Sequence, residues 1–406
     1  LMKRTWLTLT AALALFVLPT GCSQDELPAP APVRPVEFPD PEPEPDPDTI
    51  PDTTFDPDYE SSDFSFYFLA VLLQRATEGR GIDIVLMGDA FSDRLVANGV
   101  YMQKMRQAAD AFFSEEPYRS FRHLFNVFAV KAVSRHEAVS ERHSTALGVS
   151  FGEGRDIRGN VGVVLDYARR VPSLGNSTGR RDELLVVVIV NQVRWAGTCH
   201  MWGPKALSDA SSPLEGDYGR GFSIAYCAYA DVEDWIYVVI HEAAGHGFAK
   251  LADEYIEPGY TTAIPDDRRT TQIRRQQYGY SRNVDYRGDR TQCAWSRYLD
   301  DPRYAESDLG YYEGGDGYPY GVWRSSHRSL MRQYDAGGFN PVSREAIYRR
   351  IHKLAYGEGW VFDYETFAAF DAPNRRRAAT RVLRPQPSDR LPLPAPQWID
   401  RSRPLL

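Results

Sequence analysis

Cysteine is scarce in this chain, with 4 in 406 residues, and no two stand in a Cys-x-x-Cys spacing. That excludes a knot of thiolate metal ligands. Cys199 beside His200 has no further feature of a cysteine nucleophile. No internal repeat is present, so a solenoid is excluded. No Gly-Lys-Ser/Thr follows Gly314-Gly315-Asp316-Gly317, which therefore reads as a turn and not as a phosphate loop. No nucleic-acid motif accompanies Arg375-Arg376-Arg377, so the Pro-rich basic segment 375–406 is expected to be a solvated tail without a nucleic-acid partner. The apolar stretch 6–18 is too short to span a bilayer.

That stretch has the length of a signal peptide. Lys3 and Arg4 precede it, and Leu18-Pro19-Thr20-Gly21-Cys22 closes it like a bacterial lipoprotein cleavage box. Residues 1–22 are therefore expected to be a signal peptide ending at a lipidated Cys22, which places the chain on a membrane of the cell envelope as an outer-membrane lipoprotein; the alternative is an ordinary signal peptide with an incidental cysteine. From 23 to 63 proline alternates with acids; thirteen acids against Arg34 give −12, beside −8 for the whole chain. Polyproline II and charge repulsion leave nothing to build a core from. This tether reaches up to ~120 Å at ~3.1 Å per residue. Ser23-Gln24-Asp25-Glu26 points weakly to the outer face of that membrane.

Residues 64–374 remain for one large domain or a closely packed pair. Strands are expected at 82–87, 124–133 and 184–190, and helices at 100–113, 161–170, 232–250 and 344–356. Such alternation argues for an α/β fold, a mixed sheet covered by helices. Residues 256–325, crowded with Tyr, Arg, Asp and Gly, read as long irregular loops walling a cleft. A disulfide between Cys199 and Cys227 is expected to brace the approach to helix 232–250, with buried thiols as the alternative.

The chemistry is concentrated at His241-Glu242-Ala243-Ala244-Gly245-His246, followed by Asp253-Glu254. Two histidines on a helix with a glutamate beside the first form the zinc metalloprotease signature. The imidazoles hold Zn²⁺, and Glu242 is the expected general base towards the water that the metal activates. The usual spacing is i, i+4; here it is i, i+5. At ~100° per residue the two rings would stand roughly 140° apart on a regular helix. A π-bulge absorbs one extra residue, and Gly245 and Gly247 would ease it. A third ligand is still needed. On a continuous helix Asp253 would lie about 10.5 Å beyond His246, so the helix must break, and Gly247 is the expected point. Asp253, Glu254 or a distant residue then completes the metal set, and the carboxylate left over is expected to orient a histidine.

The run Gly245–Tyr255, with Phe248 and Leu251-Ala252-Asp253-Glu254-Tyr255, resembles the IgA-peptidase family of bacterial zinc metallopeptidases. Further blocks support the likeness in order: Ile84-Val85-Leu86-Met87-Gly88-Asp89-Ala90-Phe91 (Ala90 where the family has glycine), Glu116-Pro117-Tyr118, Phe125-Asn126-Val127-Phe128-Ala129-Val130-Lys131, Tyr312-Glu313-Gly314-Gly315, Leu330-Met331-Arg332 and Phe339-Asn340-Pro341-Val342. The resemblance spans about residues 80–352. It implies a zincin-like α/β fold with a zinc-binding active-site helix, and Met331 beneath the metal as in metzincins. Near Met331, Tyr334 or His327 is a candidate donor to the oxyanion.

The reading is a zinc-dependent endopeptidase acting on extracellular proteins or peptides. Its rival is a non-catalytic surface lipoprotein that binds protein or glycan, favoured by the i+5 spacing and the Tyr-rich loops. Retention of Glu242 argues against the rival.

Overall fold

The computed structural model describes residues 55–175, 182–203, 217–229, 234–333, 336–380 and 391–399. The expected signal peptide, Cys22, most of the tether and Tyr334 lie outside the described residues. Residues 56–63, expected as tether, are tied to the fold: the backbone amides of Ser62 and Asp63 donate to Asp93, at 2.9 and 2.8 Å.

The strands are β1 (Ala70–Gln74), β2 (Ile82–Asp89), β3 (Phe125–Val130), β4 (Ser150–Phe151), β5 (Ile157–Arg158), β6 (Leu185–Val190), β7 (Gly197–Trp202), β8 (Ser223–Ala228), β9 (Val284–Asp285), β10 (Leu309–Gly315), β11 (Tyr318–Ser326) and β12 (Gln397–Ile399). Seven of them make one mixed sheet in the order β1-β3-β2-β6-β8-β7-β12. Parallel pairs join β3, β2, β6 and β8, and β7 runs antiparallel beside β8. β6 is Leu-Val-Val-Val-Ile-Val and buried throughout, as a strand covered on both faces requires. Leu185, Val187 and Ile189 face the layer that holds the site helix, while Val186, Val188 and Val190 face the opposite layer with Val164, Leu165 and Tyr167.

The expected strands and helices appear within a few residues. The irregular stretch does not: residues 256–325 contain the helix Asp266–Gln277, strand β9 and most of a hairpin of β10 with β11. Asp316 (φ 47°) and Gly317 (φ 81°) turn that hairpin, the two left-handed residues a type I′ loop needs. The tail also departs from expectation. The helix Tyr364–Thr380 runs past Arg375, and β12 adds in parallel to β7, pairing Gln397 with His200 and Trp398 with Met201. Among the described residues no helix is long and apolar enough to cross a membrane.

Among the described residues no disulfide forms; Cys199, Cys227 and Cys293 are free and buried. Cys199 lies opposite Ala225, and Cys227 opposite Gly197. Cys199 and Cys227 are thus diagonal neighbours, roughly 7–8 Å apart in such a ladder and beyond disulfide reach. Their thiols pad the apolar layer under the site helix.

Candidate metal centre

The helix carrying the histidines starts as an α-helix over Trp235–Val238 and widens into a π-helix over Val239–Phe248. The extra residue is thus accommodated over ten residues and not in a single bulge. With i→i+5 hydrogen bonding, a five-residue step returns to the same face, and the His241 and His246 Nε2 atoms stand 3.1 Å apart. Tyr118 donates its hydroxyl to the carbonyl of Ala244, at 2.6 Å, in the turn between the two histidines.

Gly245 and Gly247 both lie within the π-helix, and neither takes a left-handed conformation. A Cβ on Gly245 would lie 2.3 Å from Met331 Sδ, and one on Gly247 would lie 2.7 Å from Leu185. Each is glycine because a neighbour packs against the helix there. The break comes later than expected, at Lys250 (φ 57°). Its buried ammonium donates to the Gly247 carbonyl and to Ser223, which holds a non-glycine residue in the left-handed region. The chain then folds back and delivers Asp253.

Asp253 Oδ1 lies 3.1 Å from His241 Nε2 and 3.2 Å from His246 Nε2. The Nδ1 atoms face backbone carbonyls, Leu330 at 3.0 Å and Leu251 at 2.8 Å. A carbonyl only accepts, so each Nδ1 carries the proton and each Nε2 presents a lone pair. With both rings neutral, two lone pairs and a carboxylate oxygen converge on one point. Neither oxygen of Asp253 or of Glu242 receives a hydrogen bond, and all are buried. Such an arrangement can hold a cation. Ligand atoms around a tetrahedral zinc stand ~3.3 Å apart, given bonds of ~2.0–2.1 Å, so the triangle has the right size. Among the described residues this is the one His/Cys/Asp/Glu group able to hold a metal.

The same charges shift the titrations. Burial lowers the His241 pKa, but Asp253, Glu242 and the Leu330 carbonyl outweigh it and hold His241 up to about 9. Burial pushes Glu242 up to about 7 against the opposing pull of His246 and His241. Burial raises Asp253, and the two imidazoles more than reverse that, leaving it lowered. Glu242 packs its Cγ against the bare backbone of Gly197, where a Cβ would come within 2.8 Å.

Glu254 is not in the cluster. Its carboxylate accepts from Asn283 at 2.9 Å, Ser329 at 3.2 Å and Asn340 at 3.0 Å, and burial pushes it up to about 7. Nor does it accept from a histidine, as the carboxylate left over was expected to. Successive side chains of an extended segment point opposite ways, so Asp253 faces the histidines and Glu254 faces the scaffold. Its backbone amide donates to the Met331 carbonyl at 2.7 Å, which steadies the loop whose Leu330 carbonyl orients His241. Met331 itself is fully buried against Gly245. His327 is elsewhere, with its ring 3.7 Å from that of Tyr312.

A cavity opens at His241, lined also by Trp195, Tyr237, Tyr255, Leu330 and Leu393. Sequence reasoning gave none of these aromatics a role. Tyr255 had a signal, because it directly follows the two carboxylates, whereas Trp195 and Tyr237 had none.

None of the curated proteins matches the chain. The family model described as IgA Peptidase M64 matches residues 71–272, which includes the site helix, Asp253 and Tyr255, whereas the blocks at 312–315, 330–332 and 339–342 lie beyond it. Over the matched segment, with a buried His-His-Asp cluster at its centre, the chain belongs to the IgA peptidase M64 family.

Proposed function

We propose that the protein is a zinc-dependent endopeptidase that hydrolyses peptide bonds of extracellular proteins. The observation that carries this reading is the convergence of His241 Nε2, His246 Nε2 and Asp253 Oδ1, with the buried carboxylate of Glu242 beside them and free of other partners. Two imidazoles and one carboxylate suit zinc in a catalytic site. Zinc, when bound, supplies Lewis acidity towards the scissile carbonyl and the attacking water. Glu242 takes the proton of that water on its carboxylate and passes it to the leaving nitrogen. Burial suits it to that task, because its pKa near 7 lets it both accept and return a proton. Leu330 and Leu251 hold the imidazoles in the tautomer that presents Nε2.

A non-catalytic binding protein has no use for Glu242, whose burial without a hydrogen bond costs stability. The test is Glu242→Gln in the full chain. It is expected to keep its zinc and lose about 10²–10⁴-fold of its casein hydrolysis. Hydrolysis equal to wild type would remove Glu242 from the mechanism.

Substrates outside the cell fit the further proposal that Cys22 is lipidated and carries the domain on its acidic tether. Loss of a lipid mass from the mature N-terminus in Cys22→Ser would support it, and an unmodified wild-type Cys22 would contradict it.

A further inference from the structure

One segment near the site belongs to neither the family match nor the mechanism. Residues 391–399, Leu-Pro-Leu-Pro-Ala-Pro-Gln-Trp-Ile, run beside the cavity at His241 and then along the edge of β7. Leu391, Pro392 and Leu393 line that cavity. Leu393 is 4 % exposed and joins the core cluster that includes Val238 and Leu330. Two carbonyls are taken by side chains of the cavity wall: Trp195 Nε1 donates to Leu391 at 2.9 Å, and the Tyr255 hydroxyl donates to Leu393. Further along, β12 pairs with β7, Gln397 Nε2 donates to Asp156 at 3.0 Å, and Trp398 stacks edge-on against Tyr280 beneath Arg275.

These are the contacts a bound peptide makes in strand addition. Main-chain pairing to a sheet edge supplies affinity, and a buried side chain supplies selection. β7 is the strand that backs Glu242 through Gly197, so the edge that β12 covers leads to the reacting groups. Prolines at 392, 394 and 396 remove alternate N–H donors and favour an extended chain that loses little entropy on docking. They also restrict the ladder to its last three residues, which leaves the part nearest His241 held by two side-chain hydrogen bonds and Leu393.

We propose that residues 391–399 are an intramolecular occupant of the site's peptide groove, released when a substrate peptide takes their place along β7. The groove then accepts extended segments with a leucine-sized apolar side chain in the position of Leu393, and Tyr255 is the donor that receives the substrate's carbonyl there. The purpose of the groove rests on the metallopeptidase reading; its occupancy by this segment does not.

Hydrogen exchange on the full chain carrying Glu242→Gln tests the proposal, because added casein peptides are then not consumed. Excess peptides are expected to speed exchange at Trp398 and Ile399 at least about tenfold while β2 and β6 stay protected. Unchanged exchange at Trp398 and Ile399 would overturn the proposal and make the segment a fixed cover of the sheet edge. In the otherwise wild-type chain, Leu393→Asp with Trp398→Ala is expected to lower KM for casein about tenfold with kcat kept. A synthetic peptide of residues 391–399 is expected to raise KM again. In an active enzyme, a KM unmoved by both would equally overturn it. Should neither chain hydrolyse casein, the metallopeptidase reading fails, and the exchange result alone decides the occupancy.

Discussion

Ala90 is fully buried in a left-handed conformation (φ 60°), where the family resemblance has glycine. Its backbone amide donates to Ser134 Oγ at 2.9 Å and its carbonyl accepts from Asn191 at 3.0 Å, so the chain is held there whatever the side chain. An L-residue pays roughly 1–2 kcal/mol for that region. Ala90→Gly is therefore expected to stabilise the fold by about 1 kcal/mol in urea denaturation, the gain reduced by the entropy of an unfolded glycine. His200 shows the opposite balance. Burial lowers its pKa to about 4, with Asp156 opposing, and its Nε2 has no partner. Between pH 6.5 and about 4 the unfolded chain binds a proton that the folded chain refuses. The contribution of His200 is thus intact above pH 6.5 and is lost as pH falls towards 4, by about 3 kcal/mol in full. Comparing urea midpoints at pH 7 and 4.5, His200→Phe is expected to lose about 2 kcal/mol less on acidification than wild type. Equal losses would show that His200 does not titrate as described. The candidate site residues were legible unevenly in the sequence. His241, Glu242 and His246 announce themselves, but Asp253 and Glu254 are adjacent carboxylates, and only the direction of an extended chain separates them.

At the scale of elements, the site depends on a helix of uncommon pitch, and the family-like blocks become intelligible as its supports. Tyr118, from the Glu-Pro-Tyr block, donates to the Ala244 carbonyl, and its ring packs edge-on against Phe248 at 5.5 Å. Tyr118→Phe keeps the ring and removes that bond. It is expected to cost about 1 kcal/mol of stability, read from urea denaturation, and to weaken zinc retention, read by competition with a chelator. A variant unchanged in both would remove Tyr118 as a brace. Asn340, from the Phe-Asn-Pro-Val block, caps the helix Pro341–Tyr356 through Ser343 and donates to Glu254. Asp316, just past the Tyr-Glu-Gly-Gly block, donates its amide to the Asp253 carbonyl at 2.8 Å. Elements with continuous Val, Ile and Leu, such as β2 and β6, could be read directly from the sequence. β7 and β8 could not, because Gly-Thr-Cys-His-Met-Trp and Ser-Ile-Ala-Tyr-Cys-Ala lack the unbroken Val, Ile and Leu of β6. The hairpin of β10 and β11 was hidden in the same way. Its Tyr and Gly residues look like loop, and only partners across the ladder make them strand.

For the whole molecule, the packing around one mixed sheet brings together segments distant in sequence: the site helix, the Met331 loop, and β7 with β12 upon it. Sequence periodicity reached the class of the fold but not this assembly, and it misread residues 391–399 as solvated because prolines hide a segment that docks by its carbonyls and one buried leucine. The central claim is that an i, i+5 histidine pair works because the helix beneath it is π-wound and returns both rings to one metal with Asp253. Metal content, measured by elemental analysis of the purified chain and of His246→Ala, tests it most directly. The account expects about one zinc per wild-type chain and its loss in the variant. A wild-type chain without zinc, or zinc retained when His246 is removed, would contradict it.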